Sequence, residues 1–180
     1  NTSALTISNG SFDAANFNVS TGSLSSNVTT TRTITMGSGS WTLTNSNNTP
    51  TSSLSVWSIN TTNLTFNAGT STLISALSGG GSIFHNFGGL VYNNVILTNS
   101  NSASLTYLIT GANTLTLTGN ATFSNTVTIA GNTTINNTLA VGNTTVNGSI
   151  SVSNTLSVTN TATFNNDVTI TGSLYVTGAT

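Results

Sequence analysis

In the last third of this chain the apolar residues keep one beat. From Asn113 onward, Leu117, Phe123, Ile129, Ile135, Val141, Val146, Val152, Val158, Phe164, Ile170 and Val176 follow at six-residue steps, broken once by a five-residue step at Val146. Two residues before each lies a smaller series: Leu115, Ala121, Val127, Thr133, Leu139, Thr144, Ile150, Leu156, Ala162, Val168 and Leu174. Inward, outward, inward is the alternation of a β-strand, and it leaves three residues for a turn. Two residues after each main position come Gly119, Asn125, Gly131, Asn137, Asn143, Gly148, Asn154, Asn160, Asn166, Gly172 and Gly178. All are Gly or Asn, types that tolerate a left-handed backbone, so each hexad is predicted to turn a corner there. Sides of about three extended residues at ~3.3 Å each, joined by corners, describe a narrow β-prism over 113–180.

Residues 1–112 lack this beat but keep apolar pairs at i, i+2: Leu5/Ile7, Phe17/Val19, Ile34/Met36, Trp41/Leu43, Leu54/Val56, Leu64/Phe66 and Val95/Leu97. Their spacing is uneven, and nine of the twelve aromatic residues lie in this region. Larger, less regular coils of a parallel β-solenoid fit this pattern; an antiparallel sandwich is the alternative. Ser78–Gly89 is the main irregularity, read as a loop between coils or a seam. No Pro/Ser linker stands near Gly111, so the expectation is one continuous all-β rod in two regions, 1–112 and 113–180.

Composition sharpens the picture. Of 180 residues, 39 are Thr, 28 Asn and 27 Ser, and Arg32, Asp13 and Asp167 are the only formally charged side chains. A single arginine gives no electrostatic basis for nucleic-acid binding or for a polybasic membrane patch. Without cysteine there is no disulfide framework or thiolate metal site. Hydrophobic residues make up 36% and the mean hydropathy is +0.16, which leaves apolar material to bury and argues against disorder. No apolar run approaches the ~20 residues of a membrane helix.

Candidate chemistry is sparse. Carbohydrate cleavage ordinarily needs two carboxylates about 5–10 Å apart. Asp13 and Asp167 are the only acids and stand near opposite ends of the chain, so the expectation is no enzyme and no catalytic, metal or cofactor site. His85, in IFHNF, reads as a core or edge histidine. Arg32 reads as part of a solvated strand face, loosely paired with Asp13 in a neighbouring coil. Trp41 and Trp57 are the residues able to stack on a glycan if exposed, although Trp41 alternates with Leu43 as a core residue does. Asn-x-Ser/Thr triplets, such as those at Asn18, Asn60, Asn132 and Asn147, are no commoner than composition predicts.

The stretches SFDAANFNVSTGSLSS, TRTITMGSGSWTLT, GGLVYNNVILT and YLITGANTLTLTGNATF resemble repeats in large phage-encoded structural proteins. The run GNTTINNTLAVGNTTVNGSISV resembles the Thr/Asn/Gly-rich shafts of phage tail fibres. The resemblance implies an elongated, homotrimeric β-helical fibre on a virion surface, joined to other virion or appendage proteins and directed at a host-cell glycan. The hexad is also similar to that of hexapeptide acyltransferases, but there Gly often follows the aliphatic residue directly, and here Gly or Asn comes one place later. The expected function is therefore a structural rod for host attachment. The alternatives are a bacterial adhesin or glycan-binding stalk and, on the Thr-x-Thr triplets, an ice-binding solenoid. Thr180 falls where another inward residue is due, so the pattern also predicts a segment of a longer protein.

Overall fold

A computed structural model describes residues 3–45, 53–77, 81–99, 105–110, 114–117, 121–123, 126–129, 132–142 and 144–177. Among these the chain forms 24 short strands and no helix. The strands recur in threes. The first face stacks β1 (Ala4–Thr6), β4 (Ser23–Ser26), β7 (Ser53–Ile59), β10 (Gly81–Asn86), β13 (Leu105–Thr110), β16 (Thr126–Ile129), β19 (Thr144–Val146) and β22 (Ala162–Phe164). The second holds β2 (Gly10–Asp13), β5 (Arg32–Thr35) and β8 (Leu64–Asn67). After a break it resumes with β11 (Val91–Tyr92), β14 (Thr114–Leu117), β17 (Asn132–Ile135), β20 (Ile150–Val152) and β23 (Val168–Ile170). The third stacks β3 (Val19–Thr21), β6 (Ser40–Leu43), β9 (Thr72–Leu77), β12 (Asn94–Asn99), β15 (Ala121–Phe123), β18 (Leu139–Val141), β21 (Thr155–Val158) and β24 (Ser173–Val176).

The described pairings are all parallel, so the arrangement is of the β-solenoid kind and the antiparallel alternative for 1–112 does not form. Two of the three ladders run through all eight coils, across residue 112 as well. In the hexad region Leu117 stands opposite Ile135, Val141 opposite Val158, and Val158 opposite Val176. Each of these partners lies three places further along the beat, so three successive hexads of one chain make one coil. The earlier coils are wider and uneven: Leu5 meets Leu24, whereas Ile34 meets the far more distant Phe66.

The inward positions form the core. Ile34, Met36, Trp41, Leu43, Val95 and Leu97 are buried, as are Ile135, Val141, Val146, Val152 and Val158 on the hexad beat. Leu117, Phe123 and Ile129 sit on strands, but their side chains lie outside the described residues. In the last coil Phe164 and Ile170 are only partly covered and Val176 is 46% exposed, because a solenoid core residue is buried by coils on both sides. Phe17 departs from its pairing with Val19. It lies in the corner before β3 and is 78% exposed. On β7 both Val56 and Trp57 are buried, since the register against β10 skips Val56 between Phe84 and His85. That bulge turns Trp57 and Ile59 inward.

The hexad corners need a correction. Asn137, Gly148, Asn154, Asn160, Asn166 and Gly172 do occupy bends between strands, but none has a positive φ. Gly119, Asn125, Gly131, Asn143 and Gly178 lie outside the described residues. Close stacking and amide bonding favour Gly and Asn at these bends. A Cβ on Gly172 would lie 1.9 Å from the Asn154 carbonyl oxygen. Asn154 Nδ2 donates to Asn137 Oδ1 at 3.0 Å along the same corner. Left-handed backbone occurs instead in the wide coils, at Gly37, Gly69, Gly88, Gly89, Ala15 and Asn63 among others.

Candidate functional site

Four features concentrate the unusual residues: an aromatic column inside the wide coils, a buried arginine at one corner, a step where the coils narrow, and the hydroxyl-bearing outer faces. The column begins at Phe12, whose ring centroid is 5.6 Å from that of Trp41. Trp41 meets Trp57 at 6.0 Å and Trp57 meets Tyr92 at 6.1 Å, both edge to face. Tyr92 also touches Phe87 at 4.9 Å and Phe66 at 5.0 Å, and Phe87 stacks on His85 at 5.8 Å. Edge-to-face pairs add about 0.5–1.5 kcal/mol each beyond area burial.

The polar tips of the column are satisfied inside it. Trp41 Nε1 donates to the Met36 carbonyl at 3.0 Å. Trp57 Nε1 donates to the Tyr92 hydroxyl at 3.0 Å, and that hydroxyl donates to the Phe87 carbonyl at 3.2 Å. Burial raises the Tyr92 pKa, partly offset by the bond from Trp57. Both indoles have 0% exposure, so the exposure that a glycan contact would require is not met at Trp41 or Trp57. Their size fills the wide coils, in keeping with the alternation of Trp41 and Leu43.

Arg32 departs from the solvated strand face expected of it. It is 1% exposed rather than solvated. Nε donates to Ser26 Oγ at 2.6 Å, and Nη1 to the Thr30 and Thr62 carbonyls at 2.9 and 3.0 Å. Nη2 donates to the Ser26 carbonyl at 2.8 Å and to the Asn60 carbonyl. These bonds use all five guanidinium donors. Ser26 Oγ passes the connection on to the Ile7 carbonyl at 2.9 Å, so one side chain ties corners of the first three coils. None of its partners is a carboxylate. Asp13 Oδ1 instead accepts the Ala15 N–H at 2.7 Å, the turn that Asn60, Asn67 and Asn86 make with Thr62, Gly69 and Gly88. Nothing in the local sequence around Arg32 announces this, because the carbonyls that surround it come from as far along the chain as Thr62.

The step lies between the third and fourth coils. The chain passes from β7 to β9 by way of Asn60 to Ser71, but from β10 to β12 by the much shorter path of Phe87 to Asn93. The shorter path draws β11 out of register with β8, and the second face splits there. Phe66, Asn67, Ala68, Gly69, Val91 and Tyr92 line the resulting notch of about 220 Å³. The irregular segment Ser78–Gly89 of the sequence thus contains β10 and the Gly88–Gly89 turn that makes the step.

The outer faces carry Thr134, Ser151 and Thr169 on one file and Thr145 and Thr163 on another. The third face is mixed, with Ala140, Ser157 and Tyr175 in register. Asp13 belongs to the first coil and Asp167 to the bend before β23 in the last, about 34 Å apart along the stack at ~4.8 Å per rung. Among the described residues no group of three or more His, Cys, Asp or Glu could hold a metal, and no helix is long and apolar enough to cross a membrane. Comparison with known proteins finds no matching family model, curated protein or solved structure.

Proposed function

We propose that this chain is a non-enzymatic structural segment of a viral tail fibre, most simply a bacteriophage one, or of a comparable surface appendage. The observation that carries this reading is the pair of parallel ladders that runs through all eight coils, sheathed in uncharged Thr, Ser and Asn. Such stacking resists bending along its axis, and with only Asp13 and Asp167 charged on the outside it offers almost no charged surface for nonspecific attachment. The separation of Asp13 from Asp167 supports the non-enzymatic part, since two carboxylates so far apart serve no common substrate bond.

In this reading the chain is one of three in a homotrimer on the virion or cell exterior, joined to other appendage proteins and used in host attachment. Because three hexads of one chain make a coil, the trimer is drawn as three solenoids side by side, forming a three-rod shaft. Light scattering and unheated SDS gels on the intact parent protein, with electron microscopy of the same sample, test it. Three chains in a rod are expected. A globular particle overturns the rod, and a rod of one chain overturns the trimer while leaving the adhesin-stalk alternative.

A further inference from the structure

We propose that the stack is jointed: acid opens it between the third and fourth coils, and protonation of His85 drives the opening. The joint is visible in the ladders. Between these coils β7 pairs with β10 and β9 with β12, but β8 and β11 make no pairing. Among the described residues two ladders hold there, where three hold between every other adjacent pair of coils. The β7–β10 ladder is itself interrupted by the bulge at Phe84/His85. His85 sits at that interruption with 0% exposure.

Ring contacts connect His85 to the open side of the joint. It stacks on Phe87, Phe87 packs on Tyr92, and Tyr92 packs on Phe66, which lines the notch. A cation formed at His85 would therefore stand among rings and aliphatic side chains. Burial holds the imidazole neutral, lowering its pKa to about 3, against a bond to the Ile83 backbone that favours the charged form.

No acid stands near to balance the charge. On β7, Trp57 is opposite His85 and the strand carries no titratable group. On β13 the only one is Tyr107, at the register position of Ile83. The inward residues of β9 and β12, Leu73, Ser75, Val95 and Leu97, carry none, and Tyr92 of β11 is a buried neutral phenol. The nearest fixed charge along the chain from β7 is Arg32, bound to the carbonyls of Asn60 and Thr62, and it is positive. Asp13 and Asp167 lie in the first and last coils.

A group whose folded pKa lies below its unfolded value contributes stability above the unfolded value, about 6.5 for histidine, and loses it as pH falls toward the folded one. Opening the joint gives His85 water and the higher pKa. The opening equilibrium then rises by about tenfold for each pH unit between roughly 6 and 4.

Amide hydrogen exchange on the whole chain, corrected for intrinsic rates and followed from pH 7 to 5, tests this. Amides of β7, β8 and β10 are expected to lose protection by about tenfold from pH 6 to 5, while those of β17 to β21 hold theirs. In His85→Leu and His85→Gln the pH slope should vanish. An unchanged slope in either folded variant overturns the proposal, as does a slope shared equally by all coils. NMR titration of the imidazole in the unmutated protein needs no variant, and a folded-state pKa near 6.5 also overturns it.

Discussion

Gly37 lies directly under Ala15 at one corner of the wide coils. A Cβ on Gly37 would stand 1.5 Å from the Ala15 carbonyl oxygen, which accepts the Ser38 N–H at 3.1 Å. The relation repeats one coil on, where a Cβ on Gly69 would stand 2.2 Å from the Gly37 carbonyl oxygen. All three residues have positive φ. The corner is a column of left-handed residues in which each later member must lack a side chain.

Gly37→Ala is therefore expected to destabilise the protein by more than about 2 kcal/mol, combining left-handed strain with a backbone collision. Ala15 is exposed and left-handed, so Ala15→Gly relieves strain without emptying a packed site. It should be neutral or stabilising by up to about 1 kcal/mol. Denaturant titration of both variants checks the pair. Equal losses would show that the column does not set the corner.

Thr133 and Thr144 occupy inward positions where the other hexads carry Leu, Ile, Val or Ala. Their hydroxyls are buried with no hydrogen-bond partner among the described residues. Thr133→Val and Thr144→Val keep the shape and remove an unsatisfied group, so each should raise stability by about 1 kcal/mol. A fall in thermal midpoint for both would mean that the hydroxyls are satisfied in solution.

Arg32 is expected to be irreplaceable by lysine. Arg32→Lys keeps the charge but offers three donors in place of five, and Arg32→Met offers none. Losses of about 3 kcal/mol or more are expected for both, insensitive to salt because no ion pair is involved. Full stability of the lysine variant in denaturant titration would reduce the clamp to a charge effect.

Trp41→Ala and Trp57→Ala should lower stability by about 3–5 kcal/mol each, as large cavities in a packed core do. Neither should selectively remove a glycan contact from a protein that remains folded. Trp57→Phe tests the finer point: it deletes the donor to Tyr92 but keeps an aromatic ring, and about 1–2 kcal/mol should be lost. A glycan-array signal lost in a fully stable Trp41 or Trp57 variant would contradict their burial.

The hexads are the most legible part of the chain. Leu139, Val141, Ile150 and Val152 are buried where the beat places them. The corner positions are legible too, because Asn154 and Gly172 do stand at bends. The backbone conformation there is not, since preference for a left-handed residue is only one reason for Gly or Asn. Stacking distance and amide bonding are others, and both depend on the neighbouring coil.

The wide coils are legible in kind but not in detail. Alternation marks Trp41 as a core residue, whereas Trp57 needs the bulge against His85 to turn it inward. The notch at Phe66 and Tyr92 arises from a difference in path length between two coils, which no local pattern marks.

Composition and periodicity by themselves determined an all-β chain with an inward beat of six and an uncharged exterior. They did so because strand alternation and apolar burial are local requirements, met residue by residue. Tertiary structure alone decided that three hexads of one chain make a coil, that Arg32 is clamped by carbonyls, and that the stack narrows at His85. Those outcomes depend on which coil lies against which, and they pair residues as distant in the chain as Val141 with Val158 and Ile34 with Phe66. Stacking register is a property of the whole solenoid, so no single stretch of sequence could carry it.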